Sequence, residues 1–422
     1  MSVQEGEMAT TEKGSYGSPR RLPRNVWVTT VTSFLTDISS EMLINLLPLF
    51  LFNVLGVRTA VIGLIEGVAE TTASILKIFS GWLSDRLRAR KGLAVLGYGL
   101  STIAKPFLYF ATTWGWVLGV RFVDRMGKGL RTAPRDALVA DSIDERQRGL
   151  AFGLHRAGDT AGAVIGLAIA LGVFLATQRG MADLTRSTFQ VIVLISVIPA
   201  VLAVLVIALG AKEVPPPSLE MKPPRLTLAG LDRRFLFFLV IMVIFTLGNS
   251  SDAFLILRAQ TAGLSVSGVL GMMLTFNLTY ALISTPAGAL SDRVGRRRLL
   301  ILGWILYALV YLGFARVSAG WHAWSLMAAY GLYYGLTEGV AKAFVADLVP
   351  SERRGTAYGV YNAAVGITAF PASLIAGILW QGVGSWAGFG PSAPFLFGAA
   401  LATFAVVILV RLPVKESTAR MD

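Results

Sequence analysis

The sequence contains no cysteine and only two histidines, His155 and His322. Their scarcity excludes a disulfide framework, a thiolate nucleophile and any Cys- or His-rich metal site. Charge is scarce too: Asp, Glu, Lys and Arg make up 15% of the chain, against about 25% in soluble domains. Hydrophobic residues take 54% of the 422 positions, with 44 glycines and a mean hydropathy of +0.64. Lipid is the solvent that fits this balance. Residues 1–24 are polar, rich in Gly and Ser, and lack the apolar core of a signal peptide. They read as a disordered cytoplasmic tail.

The 38 Lys and Arg against 25 Asp and Glu give a formal charge of +13. In a soluble chain that surplus would suggest nucleic acid. Here it sits in short loops between apolar runs, where the positive-inside rule accounts for it, so no nucleic-acid partner is expected. Runs of about 20 apolar residues, enough to span a bilayer, recur about twelve times between 25–55 and 393–411. Basic clusters follow every second run: Arg86, Arg88, Arg90 and Lys91, then Lys212, Lys222 and Arg225, then Arg296, Arg297 and Arg298. Both termini are therefore expected in the cytoplasm, with an even number of spans.

Residues 212–234 form the one long polar stretch inside the chain, and their prolines make it an extended connector. It divides the expected all-α membrane fold into six-helix bundles at 25–211 and 235–414, with a short tail at 415–422. The halves repeat each other. Gly81-Trp-Leu-Ser-Asp85-Arg86 follows the second span and Gly288-Ala-Leu-Ser-Asp292-Arg293 the eighth, 207 residues apart. Ala140-Asp141 and Ala346-Asp347 are 206 apart, each followed by an Arg-Gly-x-Ala-aromatic-Gly run.

The duplicated loop G-x-L-x-D-R-x-G-R-R resembles the signature of the major facilitator superfamily. The copy from Gly288 to Arg297 is complete, whereas the first has Arg88 where the pattern has glycine. The resemblance extends from about Val26 to Val414 and implies twelve transmembrane helices in two pseudo-symmetric six-helix bundles. It gives Gly81, Asp85, Arg86 and Arg90, with Gly288, Asp292, Arg293 and Arg297, the role of a cytoplasmic gate that latches the halves. The competing reading is that these charges only set topology. Arg121, with Gly127 and Gly129, resembles the family's fourth-span motif. Gly158-x-x-x-Gly162-x-x-x-Gly166 is a small-residue packing face without the Gly-Pro of the antiporter motif. The segments TDISSEM, LIEGVAET and HRAGDTAG look like those of a prokaryotic subgroup labelled as efflux permeases.

Ionisable groups inside a membrane are costly and become functional candidates by default. The resemblance implies that spans 1, 4, 7 and 10 line a central cavity. It thereby places Asp37, Glu41, Arg121, Asp124, Arg125, Asn249, Asp252 and Glu338 near substrate, with Asn362 and several tyrosines supplying hydrogen bonds. Asn249 to Asp252 is expected to match Asp37 to Ser40 in the first half. Carboxylates crowded at low dielectric repel one another and lose hydration, which favours proton uptake. Asp37, Glu41, Glu66 and Glu70 are the proton-coupling candidates on that ground. The competing reading is a fixed network that neutralises Lys77, Lys105, Arg121 and Arg125. His155 and Asp159, one turn apart, are a candidate relay or a structural hydrogen bond. Lys128, Arg131 and Arg135 either attract an anion or pair with Asp124 and Asp136.

Two weaker motifs carry nothing. Gly127-Lys128-Gly129 lacks the Ser or Thr of a phosphate loop, and Asn277-Leu-Thr279 lies within a span. The resulting expectation is a monomeric inner-membrane secondary transporter without a cofactor. It would export a small organic solute in exchange for protons by rocking of the two halves. The alternatives are organic-anion transport, uncoupled facilitation, and, from other classes, a lipid flippase or a membrane sensor. No nucleophile–base–orienter set emerges, so an enzyme is not expected.

Overall fold

The computed structural model describes residues 22–143, 147–178, 183–214, 230–350 and 353–412, with the side chains of Asp85 and Arg148 outside the description. The expected tails and most of the proline-rich connector therefore lie outside the described residues. Within them, every regular element is helical. The twelve spans are α1 Arg24–Val54, α2 Thr59–Leu87, α3 Arg90–Phe110, α4 Trp114–Ala140, α5 Arg148–Thr177 and α6 Arg186–Gly210. The second half holds α7 Arg233–Thr261, α8 Val266–Val294, α9 Arg296–Arg316, α10 Gly320–Asp347, α11 Arg354–Gln381 and α12 Ala393–Val410.

Ten of these are long and apolar enough to cross a membrane unaided. The other two, α4 and α10, are equally long but carry Arg121, Asp124, Arg125, Lys128 and Arg131, or Glu338 and Lys342. They occupy the same place in each half. Arg121, Arg125 and Arg131 are buried among neighbouring helices and Glu338 is paired with Arg156, which offsets the cost of charge in a span.

Three spans are broken, each for a local reason. In α1 the α-helix ends at Ile44; after Asn45 and Leu46, Pro48 lies in a short turn that runs into a π-helical stretch, Phe50–Val54. Proline has no N–H for the ladder and its ring crowds the preceding turn, so the helix yields there. In α3 the helix tightens to a 3-10 turn at Lys105–Phe110 around Pro106. In α7 it stops at Gly248 and restarts at Ala253, leaving Asn249 to Asp252 unwound.

Pairings within the first half recur in the second. Contacts of α1 with α5 and α6 are matched by α7 with α11 and α12, and those of α4 with α2 and α3 by α10 with α8 and α9. The halves meet mainly along α2 with α11 and α5 with α8. The small-residue face of α5 packs on α1: a Cβ at Gly158 would lie 2.9 Å from Thr30 Cγ2, and one at Gly162 would lie 3.1 Å from Asp37 Cβ.

The turn after α2 resolves the Arg88 departure. Gly295 in the complete copy has φ +96°, and Arg88 adopts φ +51° in its place. The turn is one residue longer: Arg88 and Ala89 separate α2 from α3, whereas Gly295 alone separates α8 from α9. The positive φ is kept although an arginine occupies it, which costs about 1 kcal/mol relative to glycine. Arg88→Gly is therefore expected to raise the thermal unfolding midpoint in detergent. A lowered midpoint would show that the turn needs the arginine side chain more than it suffers from its backbone.

Candidate functional site

The described residues expected to form the gate make their contacts within their own halves. Arg90, at the start of α3, pairs with Asp141 at the end of α4. Arg296 pairs with Asp347 and, at 3.3 Å, with Asp292. The two pairs, Arg90–Asp141 and Arg296–Asp347, are related by the internal repeat. Arg297 donates to the carbonyls of Leu409 and Val410, satisfying acceptors that the end of α12 leaves open. Arg86 lies 5.2 Å from the Trp82 ring centre, and Arg293 is exposed. Gly81 faces Ala133 closely, whereas Gly288 faces open space. The Asp85 side chain lies outside the described residues.

Inter-half contact is concentrated at the end of the bundle away from the basic loops. Arg58 donates to the carbonyl of Gly384, and Thr59 uses its N–H on Gln381 and its hydroxyl on Gly377. Gln260 donates to Asp183 at 2.9 Å. Gly63 and Gly67 of α2 lie against the backbone of Ser373 and Phe370 in α11, and Gly366 of α11 lies against Ser74. Thr71 donates to the carbonyl of Gly366 at 2.7 Å. Beyond that level Lys77 and Phe79 are exposed. Among the described residues, one ion pair crosses nearer the basic loops: Arg156 on α5 bonds Glu338 on α10 at 3.0 Å. Glu338 also accepts from the Tyr280 hydroxyl and lies 3.6 Å from Lys342.

Between the sealed end and the basic loops the halves enclose a cavity of about 380 Å³. Its lining includes Glu41, Asn45, Glu66 and Glu70 from the first half. The second half adds Asn249, Ser250, Ser251, Asp252, Phe276, Asn277 and Tyr334. The breaks in α1 and α7 both open onto it. Carried back by the loop offset of 207, Asp252 corresponds to Asn45, so the repeat register differs from the expected pairing of Asp252 with Ser40. A smaller cavity inside the first half is lined by Asp37, Glu41, Lys105, Arg121, Asp124, Arg125, Lys128 and Arg131. Glu41 borders both.

The ion pairing divides the four proton-coupling candidates. Arg121 donates to both oxygens of Glu66, at 2.9 and 3.1 Å, with both side chains buried. Arg125 pairs with Glu70 at 3.2 Å. Arg121 also lies 3.8 Å from Asp124. Among the described residues Asp37 and Glu41 form no ion pair within 4 Å; Glu41 accepts instead from Asn45 at 2.9 Å. Lys105 donates to Ser39 and Ser40, not to a carboxylate. Arg131 bonds Ser101 at 2.7 Å and stacks over Tyr98, and Arg135 pairs with Asp136. Of the basic residues lining the smaller cavity, Lys128 alone is exposed and outside any ion pair.

His155 Nε2 lies 3.8 Å from Asp159, too far for a hydrogen bond, and 3.3 Å from the Ser33 hydroxyl. Asp252 accepts from Tyr330 at 2.9 Å, and Asn249 from Tyr307 at 3.4 Å. Tyr307 in turn stacks on Tyr311, giving the second half an aromatic wall behind its polar break. Glu338 and Asn362 line neither cavity. Asn45 is a cavity residue that the sequence reading did not name, although the 207-residue offset would have exposed it; Ser250 lay within the Asn249 to Asp252 string, and Asn277 was set aside with its motif.

Comparison with known proteins follows the same outline. The model of the Major Facilitator Superfamily matches residues 29–275 and 235–420. An uncharacterized MFS-type transporter of Methanocaldococcus jannaschii is 37% identical over 93% of this chain and 95% of its own length. The multidrug resistance protein MdtG of Enterobacter lignolyticus is 24% identical over 73% of this chain and 74% of its own. Among solved structures, the POT family transporter PepTSo superposes with a TM-score of 0.74 at 13% identity, covering 93% of this chain and 98% of that one.

Proposed function

The chain belongs to the major facilitator superfamily, and from that premise we propose that it is a proton-coupled secondary transporter exporting a small organic solute. The observation that carries this reading is the cavity between the halves, closed at one end by the α2–α11 interlock and bordered by carboxylates. The positive-inside rule supports putting the other end, with its basic loops, in the cytoplasm of an inner-membrane protein, with both termini on that side. The described state is then inward-facing. Solute enters from the cytoplasm, and rocking about α2–α11 and α5–α8 exposes it to the far side. One chain completes the cavity, so the unit of function is the monomer.

The geometry distributes the roles. Glu66 and Glu70 are held by Arg121 and Arg125, which suits them to fixing α2 against α4. Asp37 and Glu41 share the smaller cavity with basic residues but form no ion pair with them, which suits them to exchanging protons. Because Glu41 faces both cavities, its protonation state is felt where solute binds. The described gate residues brace each half from within. Their loops would meet across the closed cytoplasmic end only in the opposite state.

The test is proton movement in proteoliposomes, followed with a pH-sensitive dye against a panel of cationic, anionic and neutral solutes. At least one solute should evoke proton flux in the opposite direction. Solute uptake with no accompanying proton movement would make the protein a facilitator.

A further inference from the structure

The cavity between the halves has a one-sided chemistry. Its lining carries the carboxylates of Glu41, Glu66, Glu70 and Asp252 and no lysine or arginine. The cations of α4 do not reach it. Arg121 and Arg125 line the smaller cavity and bond Glu66 and Glu70, while Arg131 is occupied by Ser101 and Tyr98. Setting aside the two carboxylates neutralised by arginine leaves Glu41 and Asp252. They enter from opposite halves, beside the breaks of α1 and α7. Among the described residues the hydrogen bond to each comes from a neutral donor, Asn45 or Tyr330.

The same wall carries aromatic rings. Phe276 and Tyr334 line the cavity, and aromatic faces attract a positive group. A charge leaving water for such a cavity needs an opposite charge to receive it. A cavity of about 380 Å³ falls within the range of about 300–1,000 Å³ that holds drug-sized ligands.

We propose that the transported solute is an organic cation with an apolar or aromatic body, its charge received between Glu41 and Asp252. The assignment rests on the transport reading above and turns it away from organic anions, because Lys105, Arg121, Arg125, Lys128 and Arg131 line the smaller cavity and not this one. It also explains why Glu41 borders both cavities. A proton on Glu41 and a cation beside it compete for one negative charge, so loading either favours release of the other.

The probes are tetraphenylphosphonium and the anion of the same shape, tetraphenylborate, in equilibrium binding to the purified full-length protein. Saturable binding of the cation is expected, and none of the anion. Asp252→Asn should weaken cation binding by about tenfold or more while its melting temperature stays near wild type. A second measurement does not depend on that variant folding. Because the chain lacks cysteine, Ser251→Cys introduces a single thiol into the cavity wall. The cation should slow its reaction with a maleimide, and the anion should not. Tighter binding of the borate, undiminished binding in a folded Asp252→Asn, or failure of the cation to protect Cys at 251 would overturn the cation assignment. If the cation fails while an anionic or neutral solute still evokes proton flux in vesicles, the substrate class is wrong and the transport reading stands. If no solute evokes flux, the transport reading itself fails.

Discussion

Replacing Glu66 with glutamine is expected to destabilise the protein by about 3 kcal/mol, the scale found when one partner of a buried ion pair is removed. Arg121 and Glu66 are each about 6% exposed and are joined through both carboxylate oxygens. Glutamine keeps the shape but leaves the guanidinium charge with Asp124 alone, at 3.8 Å. The Nε of Arg121 already lacks a partner, so no spare acceptor is at hand. Removing both charges together, as in Glu66→Met with Arg121→Met, should cost much less than either single change, because no uncompensated charge is left inside. Thermal unfolding of the four proteins in one detergent gives the cycle. Additive losses would mean that the pair is solvated and contributes little.

Neutralising Asp37 should have the opposite profile, a small effect on stability and a large one on coupling. Among the described residues its side chain makes no ion pair, and its backbone stretch is seated against Gly162 of α5, so Asp37→Asn preserves the packing of α1. What it removes is a group that can take up and release a proton in a cavity shared with Lys128.

The architecture was legible because hydropathy, loop charge and a repeated motif all pointed to the same twelve-span plan. Even α4, too charged to pass as a span on composition, was marked by the apolar residues around Arg121. The pairings were not legible. Whether Arg121 meets Glu66 or Asp37 depends on how α4 is rotated against α1 and α2, and residue spacing within one helix carries no such information. The Gly158, Gly162 and Gly166 face was readable as a packing surface, but its partner, the Thr30–Ile38 face of α1, was not. Gly63 and Gly67, the same spacing on α2, went unread although they form half of the α11 interlock. Their signal was present as a small-x-x-x-small pattern. The shift of register from Ser40 to Asn45 arose because the two helices break at different distances from their starts. Matching short polar strings was a poorer guide there than the loop offset.

The most direct measurement compares wild type with Asp37→Asn in proteoliposomes, using whichever solute evokes proton movement in the wild type. Solute counterflow, which needs alternating access but no net proton transfer, is read beside gradient-driven flux. Asp37→Asn should retain counterflow and lose solute-evoked proton movement down to the vesicle leak. An unchanged ratio of protons to solute in the variant would contradict the assignment of coupling to this carboxylate.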